Sequence, residues 1–524
     1  MAPKVAIIGA GLSGLASLKQ CLEEGFDATI FEARPVIGGQ WCYEEPDPVT
    51  GETSSSMYEG VLLNSCRDTS TFSDFPMEPS RYPDYFGHKR FLRYIEEYAE
   101  YFGLREHICL NTEVVSCSQD KEGKWSVETI QKGRSPVKDT YDAIFACSGA
   151  LADPVIPMFE GLEKFKGDVF HSHIYRRPGA LEGKRIAIIG FGNSAADLSS
   201  ELSWQAKELH LITRRGGWIV PRFVLGKPAE AYDNRVAETI LPSKFSQWIQ
   251  TQLCNHVLGK LPDVLQPEHG LMEANVTMRS DLLENIKTGR IIPHRAGVKR
   301  VSETSLILTD GTFIDVDVII CCTGYHMSIP YVPEESYRNN HNPILNTNNS
   351  MELYKLVASP TFTNVFFIGF VELAGPLVPV SETQARWATS VLAGRIKLPS
   401  VKKMYGSIAA YQARLAAVRP EMVNSDRHTV TIRYLPYCDD LLRDIGANPT
   451  FCRLFSKVFT SNPVTAVKLL KAVYVGINSP AQYRLFGHGS KPMLASATLL
   501  RLADEAPGLS EKERHILCMS QPEG

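Results

Sequence analysis

Two glycine-rich turns hold the residues whose types and spacing point most directly to chemistry in this 524-residue chain. The first, GAGLSG, follows a short apolar run and opens an amphipathic segment. At this spacing the three glycines permit a tight turn, a close approach of the backbone to a pyrophosphate, and close packing of helix on strand. The N–H groups at the start of the helix would then face the phosphates. The predicted cofactor contacts of this turn are Gly9, Ala10, Gly11, Leu12, Ser13 and Gly14.

Glu32 closes the apolar segment that follows the first turn. In a strand–helix–strand unit, an acid at this position accepts hydrogen bonds from the ribose hydroxyls and would repel a 2′-phosphate. The first turn and Glu32 therefore predict a site for FAD or NAD, not for NADP. The segment IGGQW comes next, and we expect its residues Gly39, Gln40 and Trp41 to approach a flavin ribityl chain, with Trp41 covering it.

The second turn, GFGNSA, has the same spacing but a different ending. The strand after this turn ends with two arginines in place of an acid. Guanidinium groups beside the ribose form ion pairs with a 2′-phosphate. This turn therefore predicts NADPH, and the two sites together predict electron transfer from NADPH to a flavin. The predicted NADP contacts are Gly190, Gly192, Asn193, Ser194, Ala195, Asp197, Thr213, Arg214 and Arg215.

The segment GPLVPVSETQARWA predicts a helix that starts near Ser381. The N-terminus of such a helix could face the pyrimidine edge of a flavin, where negative charge collects on reduction. Gln384 is then either a flavin contact or an ordinary polar residue on the helix surface, and the sequence leaves both alternatives open.

Two histidines, His171 and His173, lie in the segment FKGDVFHSHIYRR between the two turns. An H-x-H pair can ligate a metal, but no further ligands lie nearby in the sequence, and we predict no metal site.

The elements around these motifs predict an α/β fold with two Rossmann-like domains. Strand–helix–strand units are expected at 4–32 and from 184 onward, and the strand DVDVIICCTG (315–324) is a counterpart of DAIFACSG. We expect the NADP-binding domain to be inserted in the FAD-binding domain. The predicted boundaries are 1–155 and 331–445 for the two parts of the FAD-binding domain, 156–330 for the NADP-binding domain, about 222–292 for a mostly helical insertion in it, and 446–524 for a C-terminal helical region.

Composition narrows the class of protein. A net charge of −3 gives no reason to expect nucleic acid. Twelve cysteines without a C-x-x-C pair favour a reducing, intracellular compartment and exclude a disulfide reductase of similar fold. We expect no signal peptide, and no run reaches the roughly 20 apolar residues of a membrane-spanning helix. The insertion is expected to cover an active site or touch a membrane, and the C-terminal helices to pack on the body, with membrane-surface contact as the alternative.

The chain resembles a flavin-containing monooxygenase of class B, the animal-type family that oxygenates nitrogen and sulfur. The resemblance covers nearly the whole chain and is carried by these motifs: GAGLSG, GGQW, LLNSC, GFGNSAAD, TRRG, CCTGY, SETQARWA, YRLFGHG and the pattern F-x-G-x-x-x-H-x-x-x-Y that ends at Tyr175. In the related Baeyer–Villiger branch this pattern typically ends in Trp. Two departures are that Ala195 replaces a third glycine and that the chain stops at the polar QPEG without an apolar anchor.

The resemblance implies a mechanism and two residue roles. NADPH would reduce the flavin, which captures O2 as a C4a-hydroperoxide, while bound NADP⁺ keeps water out until an amine or sulfide attacks. Asn64, beside Ser65 in LLNSC, would hold the hydroperoxide, with a loop-capping Asn as the alternative; His171 would couple the two domains. A Baeyer–Villiger enzyme, an oxidase that releases H2O2 and a catalytically silent nucleotide sensor stay open. So do a homodimer and a cytoplasmic location with peripheral contact to the endoplasmic reticulum.

Overall fold

The structure is a computed structural model that describes residues 2–151, 153–271, 276–332, 344–345, 349–418, 429–460 and 462–504. Its strands are β1 (Lys4–Ile8), β2 (Asp27–Phe31), β3 (Ile108–Cys109), β4 (Thr112–Gln119), β5 (Trp125–Gln131), β6 (Val137–Tyr141), β7 (Ala143–Ala146), β8 (Asp153–Pro154), β9 (Asp168–His171), β10 (Arg185–Ile189), β11 (Glu208–Thr213), β12 (Phe223–Val224), β13 (Lys227–Pro228), β14 (Ile292–Arg295), β15 (Val298–Val301), β16 (Ser305–Leu308), β17 (Phe313–Asp315), β18 (Val318–Cys321), β19 (Tyr325–His326), β20 (Val365–Phe367), β21 (Glu372–Ala374) and β22 (Thr431–Arg433). Its α-helices are α1 (Leu12–Glu23), α2 (His88–Tyr101), α3 (Asn193–Leu202), α4 (Ser243–Leu258), α5 (Ser280–Lys287), α6 (Leu377–Leu392), α7 (Val401–Val418), α8 (Tyr434–Arg443), α9 (Phe451–Thr460), α10 (Pro463–Tyr474) and α11 (Pro492–Asp504).

Two five-stranded parallel sheets organise the chain. The first has the strand order β20-β7-β1-β2-β3, and the second β14-β11-β10-β18-β9. The central strands β1 and β10 are apolar and almost fully buried, as expected for parallel strands covered on both faces. The predicted counterparts DAIFACSG and DVDVIICCTG supply β7 and β18, which pair with β1 and β10 respectively. These sheets confirm the predicted α/β class with two Rossmann-like units.

The first sheet is built from distant parts of the chain. Strand β20 pairs in parallel with β7, although the whole second sheet lies between them in sequence. This arrangement agrees with one unit inserted in the other, whereas the exact domain boundaries stay a prediction.

Helix boundaries differ from the sequence-based expectation in two informative places. Helix α6 begins at Leu377, four residues before the predicted start at Ser381. The prolines at 376 and 379 favoured a loop, but proline is tolerated in the first turn of a helix, where its missing N–H has no partner to lose. The sequence after the second turn predicts a helix from Asn193 to about Lys207, whereas helix α3 ends at Leu202.

The insertion combines the hairpin β12–β13, a π-helical turn at Val236–Ile240 and helices α4 and α5. Its Arg235 forms an ion pair with Asp439 and donates a hydrogen bond to Gln482, and both partners are close to the C-terminal helices. The insertion and the C-terminal region are therefore packed against each other.

The C-terminal helices expose apolar side chains. On α9, Leu454 is buried, but Phe451, Phe455 and Phe459 are exposed. Leu454 packs in a cluster with Leu469 and Leu499 of the neighbouring C-terminal helices, so the expectation that these helices pack on the body does not hold for the apolar side chains of α9. Within the described residues no helix combines the length and apolarity needed to cross a bilayer. The polar end QPEG, which carried the expectation of a missing anchor, is outside the described residues.

Candidate cofactor site

One cavity of about 1510 Å³ is lined by residues of both glycine-rich turns. From the first half of the chain it is lined by Gly9, Gly11, Leu12, Ser13, Glu32, Gly39, Gln40 and Trp41. From the second turn and its strand end it is lined by Gly190, Gly192, Asn193, Ser194, Thr213, Arg214 and Arg215. The carboxyl ends of parallel strands are where such folds bind ligands. The structure thus brings fifteen of the predicted contacts to a common space.

The first turn has no room for a side chain at Gly9 or Gly14. A Cβ atom added to Gly14 would lie 1.8 Å from the carbonyl oxygen of Gly9, so helix α1 can approach β1 this closely only with glycine here. Gly9 has a φ of +100°, a left-handed conformation that glycine tolerates best. Gly11 and Gly39 face each other, with 3.5 Å between an added Cβ on Gly11 and the Cα of Gly39. The exposed backbone between them is a cradle suited to a pyrophosphate.

Glu32 is held rigidly beside this cradle. Its Oε2 accepts a hydrogen bond from the N–H of Ala10 at 2.7 Å, and its Oε1 accepts one from the N–H of Arg34 at 3.0 Å. A carboxylate oxygen has further lone pairs, so the side chain can still accept from ribose hydroxyls. The donor set therefore fits an adenosine with a free 2′-hydroxyl.

The second turn forms a similar glycine cradle, but the strand that follows it ends in positively charged side chains. Gly190 has a φ of +128°, and an added Cβ would lie 2.3 Å from the carbonyl oxygen of Cys322. Around Gly192 an added Cβ would meet nothing within 4 Å, which leaves the backbone open to a ligand. Arg214 and Arg215 are exposed on the cavity wall after β11. This half fits a dinucleotide with a 2′-phosphate.

Gln40 and Trp41 lie in the short 3-10 turn Gly39–Trp41. The Gln40 side chain accepts from the N–H of Ser56 at 2.9 Å, while the Trp41 ring packs edge-on against Phe91 at 4.3 Å. Both residues line the cavity, and the bond to Ser56 ties the IGGQW segment to the chain that leads to LLNSC.

The remaining predicted contacts lie outside the cavity lining: Ala10, Gly14, Asn64, Ser65, His171, Ala195, Asp197 and Gln384. Gln384 is fully buried, so the alternative of a helix-surface residue is wrong. Its Oε1 accepts from the N–H of Gly369 at 2.8 Å and its Nε2 donates to Tyr437 at 2.8 Å. Gly369 does line the cavity, so Gln384 supports the wall from behind.

Asp197 is also engaged elsewhere. Its carboxylate accepts from the Tyr58 hydroxyl at 2.6 Å and pairs with Arg279 at 3.3 Å. Burial raises its pKa, against the opposing effect of Arg279. One helical turn on, Glu201 accepts from the Tyr175 hydroxyl at 2.9 Å. These two acids share one face of α3 and connect it to the 58–64 loop and to the histidine-containing segment.

The histidine-containing segment bridges the two halves. His173 lies 2.9 Å from the carbonyl oxygen of Thr53 and 3.3 Å from the Tyr325 hydroxyl. Arg176 donates to Thr53 at 2.8 Å and to the carbonyl of Ser55 at 2.7 Å. His171 is buried, and its Nδ1 accepts from the N–H of His173 at 3.1 Å. Among the described residues, no group of three or more His, Cys, Asp or Glu side chains is arranged to hold a metal.

Several lining residues were missed by sequence reasoning. Ser54 and Tyr325 contribute to the wall near the histidine-containing segment, and Glu268 and His269 come from the insertion. Tyr325 ends CCTGY, one of the motifs that carry the family resemblance, so the sequence does offer a signal for it. Glu268 and His269 lie in a segment without a motif, and no local pattern could have identified them.

Asn64 and Ser65 are half-buried in the loop before Cys66. The Asn64 Oδ1 accepts a hydrogen bond from Arg222, the first residue of the insertion, at 3.2 Å. Sequence reasoning assigned no role to Arg222. The insertion therefore contacts the LLNSC motif directly.

Known proteins resemble the chain along nearly its whole length. Rat (Rattus norvegicus) flavin-containing monooxygenase 5 is 34% identical over 504 residues, 93% of this chain and 89% of the relative. Rabbit (Oryctolagus cuniculus) dimethylaniline monooxygenase (N-oxide-forming) 2 is 34% identical over 505 residues, 93% of this chain and 90% of the relative.

Solved structures share the fold. S-allyl-L-cysteine S-oxygenase from Allium sativum superimposes with a TM-score of 0.66 at 24% identity, covering 96% of this chain and 99% of its own. A steroid monooxygenase bound to NADP has a TM-score of 0.61 at 18% identity, covering 84% of this chain and 97% of its own.

Residues 2–505 match the family described as FMO-like, flavin-binding monooxygenase-like. This match spans both sheets, the insertion and the described C-terminal helices. Together with the 34% identity to the two mammalian relatives, it confirms the predicted flavin-dependent monooxygenase. The chain belongs to the flavin-binding monooxygenase-like family.

Proposed function

We propose that the chain binds FAD on the Glu32 side of the cavity and NADPH on the Arg214 and Arg215 side, and oxygenates amine nitrogen or sulfide sulfur through the C4a-hydroperoxyflavin that the resemblance implies. The observation that carries this proposal is the common cavity, lined by two glycine cradles of opposite charge preference. The N-oxide-forming and S-oxygenating activities named for the relative and the structural neighbour support the substrate class.

The chain's own groups bind and orient. Glu32 accepts from the ribose of one dinucleotide, and the two arginines hold the 2′-phosphate of the other, so each cofactor has its own half-site. The bound flavin supplies the redox and oxygen-activating chemistry. Asn64 offers an amide N–H to the reacting oxygen, and the cavity walls limit water access.

The segment that contains His171, His173 and Arg176 keeps the two half-sites in register. Its side chains contact Thr53 and Ser55 on one side, and Tyr175 contacts α3 on the other. In this role His171 is a coupling residue between domains and transfers no proton.

Rapid mixing tests the proposal. The NADPH-reduced protein is mixed with oxygenated buffer without substrate, and the near-ultraviolet absorbance of an oxygenated flavin is followed. We expect a long-lived band that decays to oxidised flavin, and product oxygen derived from O2 when an amine or sulfide is added. Direct return to oxidised flavin without this band, with both electrons of each NADPH appearing in H2O2 even when an amine or sulfide is present, would refute the monooxygenase proposal. Ester formation from a ketone without amine or sulfide oxidation would move the assignment to the Baeyer–Villiger branch.

Asn64→Ala tests the proposed donor. Flavin reduction by NADPH should be unchanged, and the oxygenated flavin should decay faster by about 10- to 100-fold, the effect of losing one hydrogen bond to a charged group. Asn255→Ala, at a half-buried asparagine of α4, is the matched control and should behave as the unmodified protein. Equal coupling of NADPH oxidation to product in the two variants would contradict a role for Asn64.

A further inference from the structure

The two ends of the Asn64 side-chain amide have different environments. Its Oδ1 accepts from the Arg222 Nη2 at 3.2 Å, whereas its Nδ2 has no hydrogen-bond partner among the described residues. The side chain is half-buried, so its free donor end is accessible. An amide can rotate by half a turn and exchange its donor and acceptor ends. A guanidinium carries only donors, so it accepts no bond from an amide N–H and selects one of the two orientations.

The loop around Asn64 is also held from the other side. Both carboxylate oxygens of Glu230 are used: Oε1 accepts from the Cys66 N–H at 2.7 Å and Oε2 from the Tyr85 hydroxyl at 2.5 Å. Burial raises the pKa of Glu230, although its hydrogen bonds oppose this effect. The Arg222 guanidinium lies 5.8 Å from the centre of the Tyr85 ring. Arg222 and Glu230 thus hold the loop on both sides of Asn64.

We propose that Arg222 and Glu230 of the insertion are positioning residues that present the Nδ2 of Asn64 as a hydrogen-bond donor to the reacting oxygen. This inference rests on the proposed function, because it assigns Asn64 its donor role. Glu230 fixes the backbone at Cys66, and Arg222 fixes the orientation of the amide. The insertion therefore supports the reacting centre.

Replacing Arg222 by two residues of different bonding capacity tests the orientation. Arg222→Lys keeps a group that only donates, whereas Arg222→Gln has both a donor and an acceptor and permits either amide orientation. The lifetime of the oxygenated flavin without substrate should fall by about tenfold in Arg222→Gln, one lost hydrogen bond, and by less than about threefold in Arg222→Lys. Flavin reduction by NADPH should be unchanged in both variants.

Arg290→Gln is the matched control, since Arg290 is exposed and its guanidinium stacks over the Trp204 ring at 3.7 Å. It should leave the lifetime unchanged. Equal lifetimes in Arg222→Gln and the unmodified protein, combined with a short lifetime in Asn64→Ala, would overturn the role of Arg222 and leave the proposed function standing. If Asn64→Ala and the double variant Asn64→Ala/Arg222→Gln decay equally fast, the two residues act through one bond.

Asn64→Asp separates shape from donor capacity. Aspartate has nearly the same shape but no donor, and it would pair with Arg222 through its carboxylate. We expect it to release H2O2 as extensively as Asn64→Ala. Full coupling in Asn64→Asp would show that the Nδ2 donor is not needed and would overturn the inference.

Hydrogen exchange tests the loop clamp without any cofactor. In the apoprotein, Glu230→Ala should increase the exchange rate of amides in a peptide covering residues 63–66 by about tenfold, because the Cys66 N–H loses its acceptor. Peptides from α1 should be unchanged. Unaltered exchange at 63–66 would refute the clamp, whatever the fate of the proposed function.

Discussion

The two glycine-rich turns share one scaffold, and two of the differences between their units affect what each can bind. Each follows a buried central strand and begins a helix, and each lines the same cavity. The strand after the first turn leads to Glu32, and the strand after the second leads to Arg214 and Arg215. The charge at the end of the second strand, negative after the first turn and positive after the second, is enough to distinguish a ribose hydroxyl from a 2′-phosphate.

The third glycine position shows the other difference. A Cβ on Gly14 would collide with the carbonyl of Gly9, whereas Ala195 already has a Cβ and is fully buried. The helix of the second turn therefore leaves room for a methyl group that the first turn lacks. At this position the first turn is more tightly packed than the second, and we expect it to tolerate substitution less well.

The largest expected effect comes from Gly14→Ala. Its methyl group would lie 1.8 Å from a backbone oxygen, so helix and strand must separate at the pyrophosphate cradle. We expect a loss of about 3 kcal/mol or more in the free energy of unfolding and a protein purified without flavin colour. The reciprocal change Ala195→Gly should cost only about 1 kcal/mol through helix propensity. Denaturant titration measures the free energy of unfolding of each variant, and visible absorbance measures the flavin it retains. Equal effects of Gly14→Ala and Ala195→Gly would show that the two turns are packed equally tightly.

Two buried acids, Asp74 and Asp197, should contribute to the free energy of unfolding with opposite pH dependence. Burial opposes ionisation of Asp74, but Arg484 and Lys19 lower its pKa overall. Asp74→Asn should cost about 3–5 kcal/mol at pH 7, as for a broken buried pair, and the penalty should shrink below about pH 4, where the unfolded carboxyl is protonated. The stability from Asp74 is present above that pH and lost as the pH falls through its folded pKa.

Asp197 in the second half has a raised pKa, caused first by burial. Its contribution is therefore present at low pH and lost as the pH rises through the folded pKa. Relative to the unmodified protein, Asp197→Asn should gain stability as the pH rises above about pH 4, where the unfolded carboxyl ionises. Denaturant titrations of both variants across this range check the signs, and parallel pH profiles would show that the two acids have similar environments.

The arginines should determine nucleotide preference. Arg214→Ala/Arg215→Ala removes charge-assisted hydrogen bonds to a 2′-phosphate, worth about 1.5–3 kcal/mol in total. The KM for NADPH should rise by about 10- to 100-fold, while the KM for NADH should change by less than about threefold. Arg290→Ala serves as an exposed control on the same unit. An unchanged preference would remove the argument that this half binds NADPH.

The smallest effect on stability is expected for Gly192→Ala. No atom lies within 4 Å of the added Cβ, so the free energy of unfolding should change by less than about 1 kcal/mol. The methyl group would nevertheless enter the space reserved for a phosphate, and NADPH binding should weaken. Fluorescence titration with NADPH separates the two outcomes; unimpaired binding would show that the pyrophosphate does not approach Gly192.

Much of the cofactor site was predictable because its signals are local. Glycine spacing, a buried strand and the charge at the next strand end all lie within about 30 residues, the length of one strand–helix–strand unit. Gln384 could not be assigned in this way. Its partners Gly369 and Tyr437 lie 15 and 53 residues away in the sequence. The helical pattern of the sequence predicts neither the burial of Gln384 nor these hydrogen bonds.

The amino-acid sequence alone determined the α/β class, the two dinucleotide turns and their opposite charge preference, since each depends on neighbouring residues and backbone sterics. Only the tertiary structure decided that Arg222 meets Asn64 across 158 positions and that Tyr58 meets Asp197 across 139. Such contacts depend on how whole elements pack, because side chains far apart in sequence come together only when the core between them is formed.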